Sequence, residues 1–152
     1  MKKILFICLG NICRSPMAEF IMKDLVSKRG LSDQYEIASA ATSDEEIGNP
    51  VYPPARKKLA EHGIGCAGKQ ARQVTTSDYD YYDYLIVMEE KNRKYLSYII
   101  GKDIENKVFR LLDFTSSGHD IADPWYTGNF DIAWDEIYEG CESLLDFLEN
   151  SK

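Results

Sequence analysis

The chain has 152 residues, 44% hydrophobic and 28% charged, which is the composition of one ordinary globular domain long enough to bury a core. Its 18 basic and 25 acidic residues give a net charge of −7, which disfavours nucleic acid and anionic membranes as general partners, so any phosphate binding must be local. No stretch approaches the roughly 18 apolar residues of a membrane span. The four cysteines form no Cys-x-x-Cys pair, which argues against zinc and a disulfide framework and for a reducing cytoplasm.

In chain order, Lys2-Lys3 followed by Ile4 to Leu9 imitates a signal peptide, but its apolar core is too short and it reads as a first strand, Lys3–Ile7. There follows Cys8-Leu9-Gly10-Asn11-Ile12-Cys13-Arg14-Ser15, then Pro16. Ser15 as N-cap and Pro16 in the first turn predict a helix, supported by Met17, Phe20, Ile21 and Leu25 at helical spacing. Lys28, Arg29 and Gly30 would close it. A strand ending at Cys8 and a helix beginning at Pro16 leave a short loop at a helix N-terminus, where N–H groups and the helix dipole favour a dianion. Gly10 and Asn11 are the residue types most tolerant of the positive φ that converging amides require.

Each side chain of this loop suits phosphoryl chemistry. A helix N-terminus and a nearby arginine lower a cysteine pKa from about 8.5 to roughly 3.5–7.5, so Cys8 is expected to be an ionised nucleophile. Arg14 offers a planar fork that matches two phosphoryl oxygens, and the Ser15 hydroxyl would donate to the charged sulfur. The plain alternative is a buried cysteine beside a surface arginine. Bare Cys-x5-Arg is weak, since Cys66 to Arg72 repeats it without a strand before or a capped helix after. The same stretch, Gly63-x4-Gly68-Lys69, approaches a nucleotide-binding loop but ends in Gln70 where Ser or Thr should stand, and reads as a surface loop.

Downstream, strands are predicted at Glu36–Ala41, Tyr84–Met88 and Val108–Leu112. Helices are predicted from Pro53-Pro54 to near Gly63, from Glu89 to about Ile100, and through Phe130, Trp134, Ile137, Cys141, Leu144 or Leu145, and Leu148. Cys141 is thereby a core residue, and the tyrosine-rich segment Asp78–Tyr84 reads as a polar turn leading into a strand in preference to a regulatory tyrosine cluster. The alternation predicts an α/β, single-domain, doubly wound sheet of about four parallel strands flanked by helices. Ligands in such sheets bind at the carboxyl ends of the strands. Four groups after the last strand are thus candidate proton donors: Asp113, His119, Asp120 and Asp123.

The segment Cys8 to Glu19 resembles the low-molecular-weight protein tyrosine phosphatase family. The likeness continues through Ser39-Ala40-Ala41-Thr42-Ser43, Ile47-Gly48-Asn49-Pro50, His62-Gly63-Ile64, Ala71-Arg72-Gln73 and Asp123-Pro124-Trp125-Tyr126. The resemblance implies a cofactor-free, metal-free phosphomonoesterase with a cysteinyl-phosphate intermediate, and selects Asp123 as general acid. Leu9, Gly10, Asn11, Ile12, Cys13 and Ser15 would then form the phosphate loop, with Trp125 and Tyr126 as walls for an aromatic ring. Asn11 and Ser43 would hold the loop by hydrogen bonds, His62 would stand behind it, and Cys13 would guard Cys8 by a reversible disulfide. Implied partners are phosphotyrosine proteins, whether tyrosine kinases or their substrates, with phosphate and other oxyanions as inhibitors.

This chain departs from that pattern at several points. Asp44-Glu45-Glu46 stands where an aromatic is common, Met88-Glu89 replaces Met-Asp, Thr127 is an extra residue, and Gly65–Gln70 lacks the family's second histidine. A non-catalytic phosphotyrosine-binding or thiol-switch module is the alternative from a different class, but it would have no use for Asp123. Related arsenate reductases need two further cysteines, and Gly68–Lys107 contains none. Related arginine phosphatases carry threonine where this chain has Leu9 and Ile12.

Overall fold

The computed structural model describes residues 1–151. Four parallel strands, β1 (Lys2–Cys8), β2 (Tyr35–Ala41), β3 (Tyr84–Val87) and β4 (Val108–Arg110), form one sheet in the order β2-β1-β3-β4. Six α-helices connect or flank them: α1 (Arg14–Lys28), α2 (Pro53–Glu61), α3 (Thr76–Tyr81), α4 (Glu90–Ile100), α5 (Pro124–Thr127) and α6 (Phe130–Asn150). The chain runs from β1 out to β2, then returns across β1 to build β3 and β4 on its other side. The direction of winding therefore reverses beside β1, which is where an open parallel sheet forms its ligand crevice.

Because side chains alternate along a strand, β1 divides its apolar run between two cores. Ile4, Phe6 and Cys8 join Ile86, Met88 and the apolar faces of α1 and α6, while Leu5 and Ile7 join Leu85, Val87, Val74, Tyr82 and Leu96 on the opposite face. The stripe on α6 is the predicted one, with Trp134, Ile137, Cys141, Leu144, Leu145 and Leu148 buried and Phe130 packed at its margin. No described helix is long and apolar enough to cross a membrane.

Several boundaries depart from expectation for local reasons. Helix α1 begins at Arg14, with Cys13 as its N-cap, so Ser15 is not the cap. Pro16 is tolerated because the first N–H groups of a helix have no intrahelical acceptor. Gly30 adopts φ 69°, as a residue just past a helix end does. The Asp78–Tyr84 stretch is not a bare turn: Thr75 and Asp78 form a capping box that starts α3. Strand β3 stops at Val87 rather than Met88, and β4 at Arg110, where Asp113 accepts the Arg110 N–H at 3.2 Å and turns Leu111–Phe114 into a 3-10 helix.

Candidate active site

The β1–α1 loop, residues 9–13, lies at the carboxyl edge of the sheet beside the reversal point. Its carbonyl side is anchored from outside, since Cys8 O accepts from Thr42 N–H, Leu9 O from Ser43 N–H and Ile12 O from Tyr52 N–H at 2.8–3.0 Å. Of the two residues suited to positive φ only Asn11 uses it, at 59°, and Gly10 instead lies against Glu46. The buried Asn11 side chain then ties the loop down on three sides. Its amide donates to Ser15 Oγ at 2.8 Å and Ser39 Oγ at 2.9 Å, and its oxygen accepts Arg72 N–H at 3.2 Å.

These bonds set the direction of the hydroxyl hydrogens. Ser15 Oγ accepts from Asn11, so its own hydrogen is available to Cys8 Sγ, 3.0 Å away. Ser39 Oγ likewise accepts from Asn11 and donates to Glu19 Oε1 at 2.5 Å. Glu19 is buried and also meets Lys69 Nζ at 3.3 Å and Lys23 Nζ at 2.6 Å. Burial holds the Lys69 ammonium below its usual value, with Glu19 pulling the other way. A chain of polar groups thus runs from the sulfur to a buried ion pair.

Arg14 is 1% exposed, and its guanidinium is fixed from three directions. Nη1 donates to Ile121 O at 2.7 Å, while Nη2 donates to Glu89 Oε1 at 3.1 Å and faces Asp123 Oδ2 at 3.4 Å. Its Nε–H has no acceptor among the described residues. A buried cationic donor without a partner is costly unless something anionic meets it. Asp123 is itself held: Oδ1 caps α5 by accepting Trp125 N–H at 3.0 Å, leaving Oδ2 toward Arg14.

Cys8, Arg14 and Asp123 line one open cleft with Leu9, Gly10, Ile12, Cys13, Ser43, Trp125 and Tyr126. Trp125 and Tyr126 are 48% and 75% exposed, and Trp125 leans on Tyr52 with ring centroids 4.6 Å apart. The other three candidate donors lie elsewhere. Asp113 pairs with Arg110, Asp120 accepts from Arg110 and from Glu90 N–H, and His119 meets Glu136 at 3.0 Å.

Of the expected loop supports, Ser43 holds the loop through its backbone N–H, which donates to Leu9 O, while its hydroxyl accepts Glu45 N–H within its own turn. His62 is not behind the loop; it follows α2 and stacks on Trp134 of α6 at 4.0 Å and 9°. Cys66 and Cys141 are buried in the core, and Arg72 is committed to Asp78 through two bonds of 2.9 and 3.2 Å. Sequence reasoning passed over Glu89, Ser39 and Lys69 as parts of the site. Glu89 had a signal, being a carboxylate just beyond the carboxyl end of β3, whereas Lys69 is brought in by a long loop with no readable period.

A family model described as low molecular weight phosphotyrosine protein phosphatase matches residues 3–152. The low molecular weight protein-tyrosine-phosphatase YfkJ of Bacillus subtilis is 41% identical over 154 residues, spanning 100% of this chain and 99% of that protein. Its crystal structure superposes with a TM-score of 0.97, covering 100% of this chain and 97% of that one. The crystal structure of SP-PTP, a low molecular weight protein tyrosine phosphatase from Streptococcus pyogenes, is 39% identical, has a TM-score of 0.87 and covers 97% of this chain and 93% of its own.

Proposed function

Since the chain belongs to the low molecular weight phosphotyrosine protein phosphatase family, we propose that its cleft hydrolyses phosphotyrosine in proteins, with Cys8 as nucleophile, Arg14 as oxyanion fork and Asp123 as proton carrier. The observation that carries this assignment is the convergence of those three groups on one cleft from two distant parts of the chain, the β1–α1 loop and the segment before α5. Loop N–H groups and the N-terminus of α1 would receive the phosphoryl oxygens together with Arg14 Nε and Nη2.

In the first step Cys8 Sγ attacks phosphorus in line, the bond from phosphorus to the tyrosyl oxygen breaks, and protonated Asp123 gives its proton to that oxygen. In the second step water attacks phosphorus, Asp123 takes its proton, and the sulfur–phosphorus bond breaks to return the thiolate. The Ser15 hydroxyl favours both thiolate states by donating to the sulfur. Every proton in these steps is handled by the chain's own groups. Leu9, Trp125 and Tyr126 supply apolar contact for the phenyl ring.

The proposal extends to setting and control. Phosphotyrosine proteins, including tyrosine kinases and their targets, would be the partners, in a reducing cytoplasm that suits four free thiols. Cys13 would condense with a Cys8 sulfenic acid formed by peroxide, releasing water and forming a disulfide. Burial pushes the Cys13 thiol up, with the Cys8 and Asp123 charges adding to the effect, so this trapping would be slow at neutral pH.

The test uses a series of aryl phosphates of graded leaving-group pKa. Cys8→Ser should abolish turnover, while Cys66→Ser and Cys141→Ser should retain it. Asp123→Asn should lose about 10²–10⁴-fold on phosphotyrosine, and far less where the leaving group is already acidic. Turnover by Cys8→Ser, or an equal loss across the series for Asp123→Asn, would refute the assigned roles.

A further inference from the structure

The charges around the cleft have the wrong sign for a site meant to attract a dianion. Arg14 is the only cation among its lining residues, against Asp123, Glu45 and Glu46. Asp123 is engaged by Arg14 and by the cap of α5, but Glu45 and Glu46 meet no cation within ion-pair distance among the described residues. Glu46 is also held in place, since it packs on Gly10 and its Oε2 accepts from Asn49 Nδ2 at 2.5 Å. Glu45 belongs to two cavities at once: the cleft, and a neighbouring groove that shares Leu9, Ser43, Glu45 and Tyr126 with it and runs on to Tyr95 and Tyr98.

A second, independent observation shows what the cleft receives. Arg14, 1% exposed, lines the same cleft and has an Nε–H without an acceptor among the described residues, and a buried guanidinium donor of that kind calls for an anionic oxygen. The oxyanion thus has its place at the floor and the two glutamates stand on the rim. Whatever is covalently attached to that oxyanion must pass them.

We propose that Glu45 and Glu46 select phosphotyrosine sites that carry arginine or lysine next to the phosphorylated residue. The inference rests on the phosphatase reading above and adds the substrate class to it. A flanking guanidinium would meet two carboxylates that have no cation of their own, whereas a flanking carboxylate would face both at close range. Lys91 lies in the groove and not in the cleft, so the demand for positive charge applies to the positions adjoining the phosphotyrosine and not to those farther along. Exposed pairs of this kind are individually weak and screened by salt, so the selection should be graded and dependent on ionic strength.

The experiment compares kcat/KM for three phosphotyrosine peptides that differ only in carrying Arg, Gln or Glu at the positions on either side, with 4-nitrophenyl phosphate as the small reference substrate. The expected order is Arg, then Gln, then Glu, spanning about tenfold at low salt and less than about twofold in 0.5 M NaCl. The double variant Glu45→Gln, Glu46→Gln should flatten that order. It should also lower KM for 4-nitrophenyl phosphate, because two charges that repel the dianion are gone. Equal rates on the Arg and Glu peptides by an enzyme active on 4-nitrophenyl phosphate would overturn the selectivity alone. An order that survives in the double variant would take it away from these two residues. Inactivity on 4-nitrophenyl phosphate as well would overturn the phosphatase reading, and the inference with it.

Discussion

Asn11 concentrates the structural demands of the site in one side chain. It sits at φ 59° and bonds to Ser15, Ser39 and the Arg72 backbone. An alanine there would meet a left-handed backbone at about 1 kcal/mol and forfeit three bonds at roughly 1 kcal/mol each, part of which the loop recovers by relaxing. Asn11→Ala should therefore lose about 3 kcal/mol in urea unfolding, and Asn11→Gly should regain no more than about 1 kcal/mol because it restores only the backbone. Equal stability of the glycine variant and the wild type would show that the side-chain bonds contribute nothing. Cys8, Arg14 and Asn11 stood out in the sequence because the strand before them and Pro16 after them set a local frame, whereas Asp123 was one of four candidates until the family resemblance singled it out. Glu89 and Lys69 did not stand out, since what places them is a meeting of segments about 75 and 50 residues away from their partners Arg14 and Glu19.

Between elements, α6 fits closely against the 3-10 helix after β4. A Cβ built on Gly140 would lie 2.5 Å from Leu111 Cγ, and Leu111 is fully buried. Gly140→Ala should gain up to about 1 kcal/mol of helix propensity and lose about 1–3 kcal/mol to overpacking, a net loss. Leu111→Ala alone should cost about 2–5 kcal/mol. The double variant should be more stable than the sum of the two by at least about 1 kcal/mol, because the new methyl enters the space that Leu111 leaves; strict additivity in thermal melts would count against the contact. Element type was readable where periodicity was long, as in α6. It failed at Asp78–Tyr84 and at Leu111–Phe114, where a single aspartate capping a backbone N–H three residues earlier decides the conformation.

Taken whole, the molecule carries −7 yet is read as binding a dianion, so the attraction must come from the loop, the start of α1 and Arg14 rather than from the overall field. Phosphate at a hundred times its dissociation constant should then stabilise the fold by about 2.7 kcal/mol, which raises Tm by roughly 5–10 °C for a chain of this size. Cys8→Ser should keep this response, and Arg14→Lys should lose most of it because a point charge cannot reproduce the fork. An undiminished shift in Arg14→Lys would remove the guanidinium from oxyanion binding.

The two oxygens of Asp123 have different assignments: Oδ1 is spent on the Trp125 N–H, and Oδ2 faces the Arg14 guanidinium that lines the cleft. In the proposed reaction one oxygen atom would therefore hand the proton out in the first step and take one back in the second. The phenol must leave, and water must arrive, past that same atom and on the same side of phosphorus, opposite the sulfur. Each displacement turns the phosphoryl group inside out, and two in succession return it to its starting handedness. Transfer of a phosphoryl group made chiral with oxygen isotopes to an alcohol acceptor in place of water should therefore proceed with retention of configuration, the stereochemical consequence of two in-line displacements through one cysteinyl phosphate.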